Sequence, residues 1–250
     1  MSIVARPGAE HQERHAAALA AGLAAHGIRT ALTGSVEAAQ TQHVACWGWH
    51  TGARLRERGH DVLVMERGYI GDRFAWTSLG WNGLNGLATF ERPDDSGARF
   101  REHFDGMLKP WNPAGDYVLL IGQVPGDASL RGRDLSGWYA EQVAIDWRRP
   151  VRFRPHPVAV QRGIAKPVAG AEIMGGPLAD ALAGAAWVVT YNSNTGVESL
   201  LAGKPTHVDD RGSMAWGVTN REAWAHGLAW CQWSIDEIRS GAAWEVVGRR

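Results

Sequence analysis

Short apolar runs alternate along this chain with longer stretches in which apolar residues recur at helical spacing. In the first part, residues 3–5, 29–32, 43–47 and 61–66 read as strands. Residues 9–26 and 51–58 read as helices closed by Gly27 and Gly59. Further on, 117–121, 151–154 and 187–191 are strand-like, and 96–108, 138–147, 178–184, 196–202, 220–226 and 235–240 are helix-like. Uninterrupted apolar strands alternating with helices predict an α/β protein built on parallel, helix-covered sheets. Two prolines and a glycine punctuate 109–115, which places a domain boundary there: 1–110, then 111–250 with a tail able to fold back on the first domain.

In parallel sheets ligands gather beyond the carboxyl ends of the strands, so Trp47-Gly48-Trp49-His50 and Glu66-Arg67-Gly68-Tyr69 fall on a binding edge of the first half. From 67 to 93 no period emerges, yet Tyr69, Phe74, Trp76, Trp81 and Phe90 stand among many glycines. Such a segment is too aromatic for disorder and is read as an acceptor loop, with self-packing of its rings as the alternative. Within it, Gly80-Trp81-Asn82-Gly83-Leu84-Asn85-Gly86 lacks the spacing and the preceding strand of a dinucleotide fingerprint. His11 and His15 are one helical turn apart, but Gln12 stands where a zinc protease has its glutamate, so a solvated helix face is expected.

Composition narrows the class. Acidic and basic residues balance at 26 each, so any polyanion must be held locally; Arg148, Arg149, Arg152 and Arg162 form a basic stretch able to do so. Cys46 and Cys231 are too few for a disulfide framework and read as reduced thiols of a cytoplasmic protein. The first residues lack a signal-peptide core, and no run reaches the ~20 apolar residues of a membrane span. Neither a Cys/His zinc spacing nor an Asp-x-Asp motif occurs, so no metal site is expected.

The chemistry is most legible from 186 to 208. A β-branched and aromatic strand runs into Asn192-Ser193-Asn194-Thr195, four good helix N-caps, and then a short helix that ends at Gly203-Lys204-Pro205. A polar strand-to-helix turn directs free backbone N–H groups at whatever lies above the sheet, which suits a phosphate. Ser193 and Thr195 add hydroxyls, and Glu198 can accept from a ribose diol. An ordinary capped helix with a solvated glutamate fits the same residues.

Ser193-Asn194-Thr195-Gly196-Val197-Glu198-Ser199-Leu200-Leu201-Ala202-Gly203-Lys204-Pro205 resembles the donor-site signature of GT-B glycosyltransferases, in the capsular-polysaccharide, Kdo-transferase-like branch. In the same order, the stretch from Leu119 through Gln123, Asp127 and Ser129 is similar to that branch's Leu-Gln-x-x-x-Asp-Ser strand end, and Arg154-Pro155-His156-Pro157 to its Lys-Pro-His-Pro. The likeness covers roughly 116–220, with Arg154 in place of lysine and Ser199 in place of alanine. It implies two Rossmann-like halves facing a cleft, the acceptor on the first and a nucleotide-sugar, the sole co-substrate, on the second.

By carry-over, Ser193, Asn194 and Thr195 hold donor phosphate, Glu198 the ribose, and His156 with Arg154 the leaving-group charge, while Gln123 lines the pocket. Asp127 is the first candidate for the base, ahead of Asp72 and Glu66. Trp49, Tyr69, Trp76 and Trp81 are acceptor-binding candidates. The compact length is similar to that of phage-encoded glycosyltransferases, some of which modify hydroxymethylated DNA bases, so the acceptor stays open between such a base and a saccharide. A nucleotide-sugar epimerase of the same fold and a non-catalytic sugar- or nucleotide-binding module are the alternatives.

Overall fold

The computed structural model describes residues 1–249. Its elements run β1 (Ser2–Val4), α1 (Glu10–Ala25), β2 (Ala31–Thr33), β3 (His43–Trp47), α2 (Trp49–Glu57), β4 (Asp61–Arg67), β5 (Trp76–Trp81) and α3 (Ala98–Phe104). There follow β6 (Tyr117–Ile121), α4 (Ser136–Ala144), β7 (Val151–Arg154), α5 (Pro157–Gln161), β8 (Glu172–Ile173), α6 (Leu178–Ala183), β9 (Ala185–Thr190), α7 (Thr195–Leu201) and β10 (Thr206–Val208). The chain ends with α8 (Arg221–Ala229), β11 (Gln232–Ser234), α9 (Ile235–Ser240) and α10 (Ala242–Val247). It divides into two compact units, 1–105 with 223–250, and 106–222. The segment from Ala223 on groups with the first unit; the sequence reading places 111–250 in the second domain with a tail able to fold back on the first.

The first unit carries a six-stranded sheet in the order β11-β5-β4-β3-β1-β2. β2, β1, β3 and β4 are parallel, as the alternation predicts, whereas β5 and β11 extend the sheet antiparallel. The period of two sends Ile3, Ala45, Leu63 and Met65 to one face, under α1, α9 and α10, and Val4, Val44, Cys46, Val62 and Val64 to the other, against Leu55 of α2. Covering both faces is what makes these strands uninterrupted apolar runs. Gly22 lets α1 lie directly on α9, since a Cβ there would sit 2.0 Å from the Ile238 carbonyl oxygen.

Here the reading of 67–93 as an irregular acceptor loop is corrected. Residues 76–81 are the buried strand β5, missed because every residue after Trp76 is buried, so no polar alternation marks it. Its neighbour β11 comes from the far end of the chain, and Arg99 secures that return. Arg99, 6% exposed, pairs through its guanidinium with Glu237 at 2.6 Å and donates to the Ala229 and Gln232 carbonyls at 2.8 and 2.9 Å. It also lies 4.2 Å over the Trp233 ring.

The second unit is a wholly parallel five-stranded sheet, β10-β9-β6-β7-β8. Val118, Leu120, Phe153 and Val189 face Leu130, Leu135 and Trp138, and Leu119, Ile121 and Val188 face Ala181 and Leu182. Among the described residues no helix is long and apolar enough to cross a membrane.

Candidate active site

Strand order decides what the motifs do together. β9, β6 and β7 are adjacent and parallel, so the residues that follow them, Asn192, Gln123 and the Arg154-Pro155-His156-Pro157 turn, leave the sheet side by side at its carboxyl edge. The three segments that sequence separates by up to 69 positions are in hydrogen-bonded contact there. The Gln123 and Asn192 side chains lock reciprocally: Gln123 Nε2 donates to Asn192 Oδ1 at 2.7 Å, and the Asn192 backbone N–H donates to Gln123 Oε1 at 3.0 Å. Gly122 N–H donates to the Arg154 carbonyl at 2.8 Å, joining β6 to the proline turn.

Asn192 is 4% exposed and is the hub of this edge. Its Nδ2 donates to the Ser129 carbonyl at 2.9 Å and to Asp210 Oδ2 at 2.7 Å, and Asp210 Oδ1 accepts from Arg131 at 2.8 Å. Burial pushes the Asp210 carboxyl upward, but the hydrogen bonds from Arg131 and Asn192 outweigh it and hold the group below the usual carboxylate range. The network joins the ends of β6, β9 and β10 and fixes both polar turns of the edge. Sequence reading treated Asn192 only as a cap and missed Asp210 and Ser129 as its partners and Arg131 as the partner of Asp210. The run Asp209-Asp210-Arg211 directly after a strand was the available signal.

Asp127 caps a short 3₁₀ turn, Ala128–Leu130, with Oδ1 accepting from Ser129 N–H at 2.9 Å and Ser129 Oγ at 2.7 Å. The residue is exposed, and its Oδ2 has no partner among the described residues, which suits a base or an acceptor-facing carboxylate. His156 caps α5: its Nδ1 accepts from Val158 N–H at 3.1 Å, which leaves the ring proton on Nε2. Arg154 donates to the carbonyls of Gly175 and Gly176 at 3.2 and 2.7 Å, so part of its fork steadies the loop before α6.

At the α7 turn, Asn194 occupies the cap position without a side-chain cap bond; Ser193 Oγ instead accepts from Thr195 N–H at 3.2 Å. Ser193, Asn194, Thr195 and Glu198 are all half-buried. The rest of the motif is structural. Lys204 is buried and donates to the Ala114 and Ala183 carbonyls at 2.9 Å each, and burial lowers its pKa. The hydroxyl of Ser199, where alanine is usual, pairs with Thr206 Oγ1 at 2.7 Å.

The fold can now be compared. The architecture is similar to that of two solved Kdo transferases. A solved structure titled Thermosulfurimonas dismutans KpsC, beta Kdo 2,7 transferase, is similar with a TM-score of 0.64 and 15% identity, over 99% of this chain and 98% of that one. A second, the beta Kdo 2,4 transferase of the same organism's KpsC, is similar with a TM-score of 0.57 and 17% identity, over 91% and 90%. No protein-family model and no curated protein sequence matches the chain. At these identities the similarity establishes the fold, an α/β architecture of two parallel-rich sheets compatible with the GT-B type.

The first-unit candidates separate on this frame. Glu66 and Trp49 lie where β4 and β3 end, half-buried beside the Gly48 turn, whose φ of +81° needs glycine. Tyr69 and Trp81 are corrected as acceptor platforms: they are 2% and 4% exposed, with the Tyr69 hydroxyl against Ser78 Oγ at 2.8 Å and Trp81 Nε1 donating to the Val247 carbonyl at 2.9 Å. They fill the core because β5 is a sheet strand. Trp76 packs on Phe104 and His103 of α3, with centroids 4.8 and 5.2 Å away, and is likewise no free platform. Asp72 accepts from Phe74 N–H at 2.9 Å and so shapes a turn. His15 is buried against Trp47 with Nδ1 2.5 Å from the His11 carbonyl, which replaces the expected solvated face at that position with packing.

Proposed function

We propose that the chain is a glycosyltransferase that moves a sugar from a nucleotide-sugar to a hydroxyl of a saccharide. The observation that carries this reading is the convergence of three polar motifs on one carboxyl edge of the second unit's parallel sheet, within a fold similar from end to end to two Kdo transferases. On it, the backbone and hydroxyls of 193–195 hold the donor phosphate at the helix terminus, and Glu198 accepts from the ribose. His156 Nε2–H and Arg154 stabilise the negative charge of the departing nucleotide, which grows as the glycosidic bond breaks. On this reading Asp127 takes the acceptor proton through its Oδ2. A hydroxymethylated DNA acceptor is not carried forward, because both similar structures are titled Kdo transferases and so support a saccharide.

The test is a mass-shift screen of nucleotide-sugars, cytidine-linked acidic sugars first, against saccharide acceptors, with chelator in a parallel arm. The expected result is a glycosylated saccharide whose yield is unchanged by EDTA. Nucleotide release or a new epimer with donor alone would assign an epimerase, and donor binding without turnover on every acceptor would assign a binding module.

A further inference from the structure

We propose that Tyr139 reads the sugar of the donor, its phenolic O–H donating to an oxygen of the transferred group. Tyr139 lies early in α4, and its ring meets those of Phe153 and Trp138 edge-to-face, with centroids 5.2 and 5.3 Å away. The helix is pinned, because Trp138 Nε1 and Gln142 Nε2 both donate to Asp209 Oδ2 just beyond β10, the second at 3.3 Å. The hydroxyl is thereby set at the carboxyl edge, where its oxygen accepts from the Gln123 backbone N–H at 3.0 Å beside the lock between Gln123 and Asn192. That bond occupies a lone pair and leaves the hydroxyl hydrogen, which no acceptor among the described residues takes. A half-buried donor left over inside a polar network is available to a ligand. Burial raises the pKa of the phenol against the lowering effect of the Gln123 bond, so the group stays protonated and donating.

Strand order decides which part of a donor meets it. From β6 the chain runs outward through β7 and β8 on one side and, after α6, through β9 and β10 on the other, so β6 and β9 flank the point where the direction of the sheet reverses. Right-handed crossovers that travel in opposite directions place their helices on opposite faces. The α4 side packs on Val118 and Leu120, whereas Ala202, which closes α7, packs on the face of Leu119 and Val188. A donor with its phosphate at the crest between β6 and β9 and its ribose toward Glu198 of α7 therefore extends its sugar toward the α4 face. The turn that Asp127 caps also lies there, since its Leu130 packs in the α4 cluster, and the Tyr139 hydroxyl stands with it. The assignment to the sugar rests on the transferase reading; the unspent O–H beside Gln123 does not.

The experiment is calorimetric titration of the full chain with two probes, cytidine 5′-monophosphate and the same nucleotide carrying an ulosonic acid, run beside the transfer screen. Tyr139→Phe removes the hydroxyl and keeps the ring that packs on Phe153 and Trp138, so the variant should fold, which a melting curve checks. It should lower affinity for the nucleotide-sugar by about 10-fold, the scale of one lost hydrogen bond, and leave affinity for the bare nucleotide unchanged. A hydroxyl that served only to hold Gln123 would loosen the lock to Asn192 and weaken both probes alike. Equal loss on the two probes, or no loss on either, would therefore overturn the proposal, as would a wild type that binds neither. Transfer in the screen with kcat/KM unaltered in Tyr139→Phe would overturn the sugar contact and leave the transferase reading. The expected difference between the probes without transfer to any acceptor would remove the transferase reading and leave the contact.

Discussion

Replacing Asn192 by aspartate changes one NH₂ group to an oxygen, yet it strikes the hub of the candidate site. The Asn192 amide nitrogen stands 2.7 Å from Asp210 Oδ2 and 2.9 Å from the Ser129 carbonyl, so the introduced carboxylate meets two acceptors in place of two partners. At 2.7 Å and an effective dielectric of ~20, two full charges repel by about 6 kcal/mol, a ceiling that Arg131 beside Asp210 reduces. Keeping one shared proton is the cheaper escape. Against an unfolded aspartate pKa of about 3.9, that proton costs about 1.5 kcal/mol at pH 5 and about 5 kcal/mol at pH 7.5. The pair's folded pKa is raised, so its stability contribution is present below about pH 3.9 and is lost as pH rises through the folded value. Asn192→Asp should therefore be modestly destabilised at pH 5 and by roughly 3 kcal/mol more at pH 7.5, read by urea unfolding at both pH values. Donor affinity should fall along the same profile, because the hub holds the 193–195 turn. An equal loss of stability at the two pH values would show that the introduced carboxylate does not face Asp210, and the network argument would fail with it.

Three further substitutions test separate parts of the molecule. His156→Asn retains a residue able to cap α5 but removes the imidazole, and should lower turnover by about 10²-fold with little change in melting temperature; near-normal turnover would take His156 out of the chemistry. Glu198→Ala should raise the donor KM more than it lowers kcat, since ribose contacts are made before and during reaction alike, and unchanged donor affinity by calorimetry would refute the ribose role. Glu237→Gln strands the Arg99 charge at 6% exposure and should cost about 3–5 kcal/mol at neutral pH. Burial raises the Glu237 pKa, but the Arg99 and Ser234 hydrogen bonds outweigh it and lower the net value below 4.5. The penalty should therefore be flat above that value and shrink as pH falls through the depressed one, whereas a penalty that persisted unchanged in acid would exclude the ion pair as its source.

Local chemistry was legible in the sequence wherever one strand and its following turn carry the whole message. The strands 43–47, 117–121 and 151–154 and the helix Ile235–Ser240 stand at the boundaries that apolar patterns and caps indicate: 117–121 is a wholly buried apolar run, 44–46 is buried, and 151–154 alternates buried Val151 and Phe153 with partly exposed Arg152 and Arg154. The polar turn after β9 was likewise readable from its own residues. What only the tertiary structure decided is everything that depends on strand order. Nothing local in Trp76–Trp81 distinguishes a strand paired with 232–234 from a loop presenting aromatics to a ligand, so Tyr69 and Trp81 read as platforms although they are core. Nothing in Asn192 announces that Gln123, Ser129 and Asp210 will meet it, since those partners lie 18 to 69 positions away and only the order β10-β9-β6 makes them neighbours. Hydrophobic periodicity encodes which face of an element is buried; which element buries it is a property of the packed chain, and at this site that second property brings the polar groups together.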